Sequence, residues 1–160
     1  MTRSSGGPNQ QQIMGWVERV ATFFTEVHGL PPITGRVLGW LMICDPPEQS
    51  AAEIARAIGA SRASLTTSMR LLTASELICR RTRPGERTAY YRIEEDAWEK
   101  VLRRRIANLA SFREITRDGM TLLGIQGSRA ARIRAAHDTF EWVAQVFANA
   151  PAPLGRRRQA

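Results

Sequence analysis

Apolar residues recur every three or four positions over most of the chain, which is the period of an amphipathic α-helix. The first such segment covers residues 10–28. A second helix is predicted from Pro32 to about Cys44, since proline is favoured in the first helical turn. Gly35 and Gly39 lie one turn apart on this helix and lower its intrinsic stability. We therefore expect another backbone to approach them closely.

Two short helices follow, separated by three residues. Ser50 and Glu53 have the S-x-x-E spacing of a capping box, which predicts a helix from about residue 51. Gly59 ends that helix, and Ser61 caps the next one, predicted at about 62–75. Two short helices joined by a tight turn that contains glycine are typical of a helix-turn-helix unit.

A β-hairpin is predicted next. The segments LICRRTR and RTAYYRI alternate in polarity as strands do, and they flank the tripeptide PGE. Pro84 and Gly85 suit the two central positions of a type II turn. The order of a helix, a helix-turn-helix and a hairpin predicts a winged helix-turn-helix, a mainly α fold with a small β-hairpin wing.

The helical pattern returns from Glu94, and a last helix is predicted over about 129–148. That helix is apolar on two sides: Phe140 lies on one face, and Trp142 and Val146 lie on another. A helix with two apolar faces needs two partners. One partner can be its own chain, and we expect the other to be a second subunit.

Charge is concentrated on the helix-turn-helix and the hairpin. The chain has a formal net charge of +8, and residues 50–93 contribute eight arginines against three glutamates. Such a balance favours a polyanionic partner, most simply nucleic acid. An alternative is a general bias towards arginine, because Lys100 is the only lysine among the 23 basic residues.

The face of the second short helix distinguishes these interpretations. Helical spacing turns Leu65, Met69 and Leu72 towards the core, with Ser68 near them. An ordinary solvated face usually carries glutamate and lysine, yet no acid occurs between Arg62 and Ser75. We therefore predict that this helix reads the major groove of double-stranded DNA and that the hairpin contacts the backbone or the minor groove. The predicted contacts are Ser61, Arg62, Ser64, Thr66, Thr67 and Arg70 on the helix, and Arg81, Arg83 and Arg87 at the hairpin tip.

Three segments together resemble the MarR superfamily of winged-helix regulators over about residues 10–148: LPPITGRVLGWLMICDPP, SAAEIARAIGASRASLTTSMRLL and RRTRPGERTAYYRI. More narrowly, the chain is similar to the subgroup that includes the repressor of glycine betaine synthesis. The resemblance implies a homodimer on a roughly palindromic operator, often with repression that a ligand relieves. It also implies dimerisation through the terminal helices, and the candidate residues there are Trp16, Val20, Phe140, Trp142 and Val146.

Members of the betaine subgroup can sense choline, and aromatic cages hold quaternary ammonium ions. The aromatic residues that could form such a cage are Trp16, Phe23, Phe24, Trp40 and Trp98. Plain core packing is the alternative, since Trp16 and Phe24 share the apolar face of the first helix.

The chain is accordingly expected to have five parts. They are a disordered tail (1–9), an N-terminal dimerisation helix (10–30), a DNA-binding domain (31–93), a helical dimerisation region (94–149) and a basic flexible tail (150–160). No apolar run is long enough to span a membrane, and the N-terminus lacks the apolar core of a signal peptide, so a cytoplasmic location is expected.

Other classes of function find little support in the sequence. Cys44 and Cys79 form no CxxC motif, so we expect buried structural thiols, with a redox-sensing role as the alternative, and no metal site. The segment GIQGSR is too short for a P-loop and lacks its lysine. We expect no enzyme and no cofactor. A winged-helix module that binds proteins, or an architectural protein with little sequence preference, remains the alternative.

Overall fold

The computed structural model describes residues 7, 9–124 and 127–149. Its helices are α1 (Gln10–His28), α2 (Pro32–Ile43), α3 (Ala51–Ile58), α4 (Arg62–Ala74), α5 (Ala97–Leu123) and α6 (Ser128–Ala148), and its strands are β1 (Gln49–Ser50), β2 (Ile78–Thr82) and β3 (Ala89–Ile93). This architecture confirms the predicted fold class. The predicted tails, 1–9 and 150–160, lie outside the described residues apart from Gly7 and Asn9.

Helices α1 and α3 both begin with capping boxes. In the predicted box, the Glu53 N–H donates to the Ser50 hydroxyl at 3.3 Å, and the Ser50 N–H donates to the Glu53 carboxylate at 2.7 Å. The Ser50 hydroxyl and N–H hold the pKa of Glu53 below its usual range, because they stabilise the carboxylate. Asn9 and Gln12 form the same arrangement at the start of α1, which the sequence analysis did not identify.

Helices α1 and α2 pack backbone against backbone. A Cβ atom on Gly35 would lie 2.7 Å from the Cα of Ala21, and one on Gly39 would lie 3.1 Å from the Cβ of Val20. The predicted close approach is therefore confirmed, and α1 is the element that makes it. This packing joins α1 to the helix-turn-helix, so the N-terminal helix is part of the same compact unit.

That first unit extends to Val101, and the second begins at Leu102. The core of the first unit comes from α2, α3 and α4, from residues 77–78 at the start of the hairpin, and from the first residue of α5. Its buried residues are Val37, Leu38, Leu41, Ile54, Ile58, Leu65, Met69, Leu72, Leu77, Ile78 and Ala97. The core thus fixes α4 against α2 and α3 through apolar side chains.

The three strands form an antiparallel sheet in the order β1-β3-β2. The turn between β2 and β3 has the predicted features: the Glu86 N–H donates to the Arg83 carbonyl at 3.0 Å, and Gly85 has a φ of 80°. Strand β1 was not predicted from the sequence, because its two residues form a strand only by pairing with Tyr90 and Tyr91 of β3. The hairpin is therefore attached to the chain segment that leads into α3.

Helix α5 begins at Ala97, later than the predicted Glu94. The Glu94 N–H donates to the Leu77 carbonyl at 3.0 Å, so this part of the chain still extends the hairpin. Helix α6 begins at Ser128, within a residue of the prediction. No helix in the described ranges combines the length and the apolar character needed to cross a bilayer.

Within the second unit, α5 and α6 meet through aromatic and polar contacts. The rings of Phe112 and Phe140 lie 4.7 Å apart, edge to face. The Thr116 hydroxyl is 3.0 Å from Nδ1 of His137, in a site where Thr116 is buried. Arg113 and Glu141 form an ion pair of 3.1 Å. These contacts pair the two helices through Phe140, His137 and Glu141 of α6 and leave Trp142 and Val146 of that helix exposed.

Candidate nucleic-acid interface

Helix α4 is anchored by one face and exposes the opposite one. Leu65, Met69 and Leu72 are buried, as predicted, and Ser68 is buried with them. The residues on the opposite face are exposed: Arg62, Thr66, Thr67 and Arg70. The short turn before α4 follows from Gly59, which has a φ of 63° and ends α3 in the left-handed conformation.

The two arginines on this face are not paired with an acid of the described residues. Within the part of the chain that the structure describes, Arg62 and Arg70 form neither an ion pair nor a hydrogen bond. Their guanidinium groups, with five N–H donors each, are therefore available to an external acceptor. In DNA, a guanidinium group can donate two hydrogen bonds at once to the edge of a guanine base or to phosphate oxygens.

The threonines on the exposed face hydrogen-bond to their own helix. The Thr66 hydroxyl donates to the Arg62 carbonyl at 2.9 Å, and the Thr67 hydroxyl donates to the Ala63 carbonyl at 3.5 Å. Their methyl groups and oxygen lone pairs remain for outside contacts. A contact between these methyl groups and thymine methyl groups needs no rearrangement, whereas donation to a phosphate requires the hydroxyl to rotate.

The two serines at the start of α4 cap the helix. The Ser64 N–H donates to the Ser61 hydroxyl at 3.3 Å, the two hydroxyls lie 2.9 Å apart, and the Ser64 hydroxyl is 3.1 Å from the Ser61 carbonyl. These bonds satisfy groups that would otherwise be unpaired at the helix end. Both residues thus have a structural role, and their contact with DNA stays a prediction.

The three predicted arginines of the hairpin are all exposed, but they differ in their surroundings. Arg81 and Arg87 have no ion pair or hydrogen bond among the described residues. Arg83 instead stacks on the ring of Tyr90, with 4.0 Å from Cζ to the ring centroid, and pairs with Glu48 at 3.6 Å. The sequence analysis did not foresee these contacts, because they depend on strand register.

An open groove of about 1020 Å³ runs along one side of α4, between α3 and the sheet. Leu65, Met69 and alanines of α3 line it with apolar surface, whereas Arg80 and Tyr91 approach from the strands. Arg62 and Arg70 also line it. Arg80 is a positively charged residue of this groove that the sequence analysis did not include among its candidates.

The comparisons with known proteins identify the family of this chain. The family of MmpR5-like MarR family transcriptional regulators matches residues 96–150. Over 151 residues the chain is 33% identical to the HTH-type transcriptional regulator MmpR5 of Mycobacterium tuberculosis (strain ATCC 25618 / H37Rv), which covers 94% of this chain and 89% of that protein. The chain belongs to the MarR family of transcriptional regulators. A crystal structure described as that of a transcriptional regulator is also similar, with 33% identity, a TM-score of 0.67, and coverage of 86% of this chain and 93% of the other.

Membership of the MarR family makes this protein a DNA-binding regulator of transcription with a winged helix-turn-helix. Proteins of the family are typically not enzymes. The resemblance to the MarR superfamily that the sequence indicated is confirmed.

The aromatic residues considered for an effector do not all meet in this MarR-family chain. Trp16, Phe23 and Phe24 of α1 line one shallow groove of about 240 Å³, together with Met42 of α2. Trp98 stacks on Phe24 with the ring centroids 6.1 Å apart, and Phe24 in turn contacts Phe23 at 5.3 Å. Trp40 packs against the core of the first unit. The structure thus connects Phe23, Phe24 and Trp98.

The candidate dimerisation residues also differ in exposure. Val20 is half-buried against Gly39, and Phe140 contacts Phe112 within the second unit. Trp142 and Val146 are 64% and 47% exposed. Of the candidates on α6, these two have apolar surface left for another subunit.

Neither cysteine is fully buried, which corrects the expectation of two buried thiols. Cys44 follows the last residue of α2, at the end of the packed region, and Cys79 lies on β2. Burial nevertheless raises the pKa of the Cys44 thiol to about 11, because a thiolate is poorly solvated there.

Proposed function

We propose that this regulator binds a palindromic operator as a homodimer, with α4 in the major groove and the β2–β3 hairpin on the backbone or in the minor groove. Repression of the target gene is the simplest consequence of such binding. The observation that carries the proposal is the exposed face of α4, which has no acid and presents Arg62 and Arg70 without a partner among the described residues. Arg81 and Arg87, which also lack an ion pair within residues 9–124 and 127–149, extend this positive charge to the hairpin.

Dimerisation is supported by the apolar surface of the second unit. Trp142 on α6 and Leu122 on α5 are 64% and 84% exposed. Several other large apolar side chains of this unit are also exposed, among them Leu102, Ile115 and Val146. Exposed apolar surface of this kind favours burial against another molecule. MarR-family regulators usually act as dimers, and a two-fold dimer requires an operator with two half-sites about 10 base pairs apart or a multiple of that spacing.

An unidentified small-molecule effector is the further part of the proposal. Choline is a compound to test, because the sequence is similar to the subgroup of regulators of glycine betaine synthesis, and plain core packing is the alternative role of the aromatic residues on α1 and of Trp98. Intrinsic fluorescence follows the titration through the four tryptophans of the chain, and a saturable change would support a ligand of this class. An unchanged spectrum would count against choline and leave DNA binding unaffected.

The decisive experiment is the selection of DNA by the full-length protein from a pool of random duplexes, followed by competition binding. The proposal expects a palindromic consensus that is bound at least a hundredfold more tightly than random duplex. Sedimentation of the complex should give two protein chains per duplex. Equal affinity for the selected and the random duplex would favour the architectural alternative.

A further inference from the structure

Arg83 differs from the other hairpin arginines because the protein already holds its guanidinium group. One face of the group lies over Tyr90, at 4.0 Å from the ring centroid. Nη2 lies 3.6 Å from Oε2 of Glu48. Arg81 and Arg87, in the described part of the chain, have no such partners.

Strand register explains why Glu48 lies there. Gln49 pairs with Tyr91 and Ser50 pairs with Tyr90, so one further step along β1 brings Glu48 opposite Arg92. Residues at alternate positions of paired strands share a face of the sheet. Glu48 lies 3.9 Å from Nε of Arg92 through its other carboxylate oxygen. The carboxylate thus lies between two arginines and is not itself at the hairpin tip.

The ring under Arg83 is also held in place. The Tyr90 hydroxyl donates to the Glu86 carboxylate at 2.8 Å, across the turn that joins the strands. This bond raises the pKa of Tyr90, because the carboxylate stabilises the neutral phenol. A guanidinium group stacked on a ring keeps its N–H donors at its edges, where hydrogen-bond acceptors can reach them.

We propose that Tyr90 and Glu48 are positioning residues for DNA binding: Tyr90 orients Arg83, and Glu48 occupies its N–H edge until a DNA phosphate replaces it. This inference rests on the proposed function. Glu48 can be displaced because the pair is long and partly exposed, with 49% of the Arg83 side chain accessible. Tyr90 contacts the flat face of the Arg83 guanidinium group, whereas Glu48 lies at its N–H edge. The contact with Tyr90 therefore persists when a phosphate replaces Glu48.

The test measures the affinity for the selected duplex at several salt concentrations. Glu48→Gln should bind about two- to fivefold more tightly than the wild type, the range expected for loss of a weak competing pair. The matched control is Glu95→Gln, which removes the same charge from an acid that pairs with Arg92 at 3.2 Å and not with Arg83. It should change the affinity less than Glu48→Gln.

The same substitution is then made in an Arg83→Ala background. Glu48→Gln should then change the affinity no more than Glu95→Gln does, because the larger effect of Glu48→Gln requires Arg83. An equal gain with and without Arg83 would overturn the proposal, since Glu48 would then act only as a nearby negative charge. Weaker binding by Glu48→Gln in the otherwise wild-type protein would also overturn it.

Two variants of Tyr90 test the orienting role. Tyr90→Phe keeps the ring and should bind nearly as the wild type does, whereas Tyr90→Leu should lose about two- to fivefold in affinity. Thermal unfolding must show that both are folded. Equal binding by the two variants would overturn the role of the ring.

If the wild type itself does not prefer the selected duplex, the proposed function fails, and this inference fails with it. A wild type that binds specifically while Glu48→Gln has no effect refutes the inference alone.

Discussion

The Thr34 hydroxyl on α2 donates a 3.0 Å hydrogen bond to the Ser68 hydroxyl on α4, and both side chains are almost completely buried. The bond joins the helix that packs on α1 to the helix proposed to read DNA. Apolar contacts alone permit small rotations of α4 about its axis, whereas a polar contact in the core has one favoured geometry. The pair therefore contributes to which residues α4 exposes.

Ser68→Ala should destabilise the protein by about 1–3 kcal/mol, because it leaves the buried Thr34 hydroxyl without its partner. Thr34→Val combined with Ser68→Ala removes both polar groups and should cost less than Ser68→Ala alone. Chemical denaturation of the two variants measures the difference. A double variant that is less stable than the single one would contradict this account of the pair.

Gly35→Ala should destabilise the protein by about 1–3 kcal/mol, because its new Cβ would lie 2.7 Å from the Cα of Ala21 and the backbone would have to move. Gly15 is the matched control. It lies within α1, and a Cβ there would meet nothing within 4 Å. Gly15→Ala should stabilise the protein by roughly 0.5–1 kcal/mol through helix propensity alone. The midpoints of thermal unfolding should shift in opposite directions.

These features show which parts of the fold the sequence could predict. The capping box of Ser50 and Glu53, the turn at Gly59 and the hairpin turn at Gly85 are set by neighbouring residues, so local patterns identify them. Strand β1 depends on pairing with a segment about forty residues away, and no local pattern indicates it.

The same distinction applies to the candidate site. Helical spacing was sufficient to predict that Arg62 and Arg70 are exposed and that Ser68 is buried. The contacts of Arg83 with Tyr90 and Glu48 depend on the register of three strands. The sequence analysis therefore treated Arg81, Arg83 and Arg87 alike, as exposed DNA contacts at the hairpin tip. Strand alternation turns Arg80 to the opposite face from Arg81, so it lines the groove beside α4 and does not lie with the arginines predicted at the hairpin tip.

Arg70→Ala should weaken binding to the selected duplex by about 1–3 kcal/mol and relax the preference at one base position, if Arg70 contacts a base edge. Arg132→Ala on α6 removes the same charge outside the helix-turn-helix and the hairpin, so it should leave the base preference unchanged. Repeating the DNA selection with both variants gives the comparison. A uniform loss across all sequences would identify Arg70 as a phosphate contact.

Arg87→Ala should reduce the dependence of binding on salt. Each phosphate contact contributes a slope of about 0.9 in the logarithm of affinity against the logarithm of salt concentration, so the slope should fall by about one. The base preference should stay as in the wild type, since a backbone contact carries no direct sequence information. An unchanged slope would show that the hairpin assignment is wrong at this residue.

Cys44 should be slow to alkylate in the folded protein. A thiol with a pKa of about 11 is ionised in roughly one molecule in a thousand at pH 8, and the thiolate is the reactive form. The chain has two cysteines, so the variant Cys79→Ser leaves Cys44 as the only thiol. Its reaction with iodoacetamide, followed by mass spectrometry, should accelerate as the pH rises towards 11. Unfolding in guanidinium chloride should accelerate it at constant pH, because the burial that raises the pKa is lost. Equal rates in the folded and unfolded states would contradict the raised pKa and would make Cys44 a candidate redox sensor.

A slow rate in the folded state disfavours the redox-sensing role of Cys44, since oxidation of a thiol to a sulfenic acid also proceeds through the thiolate.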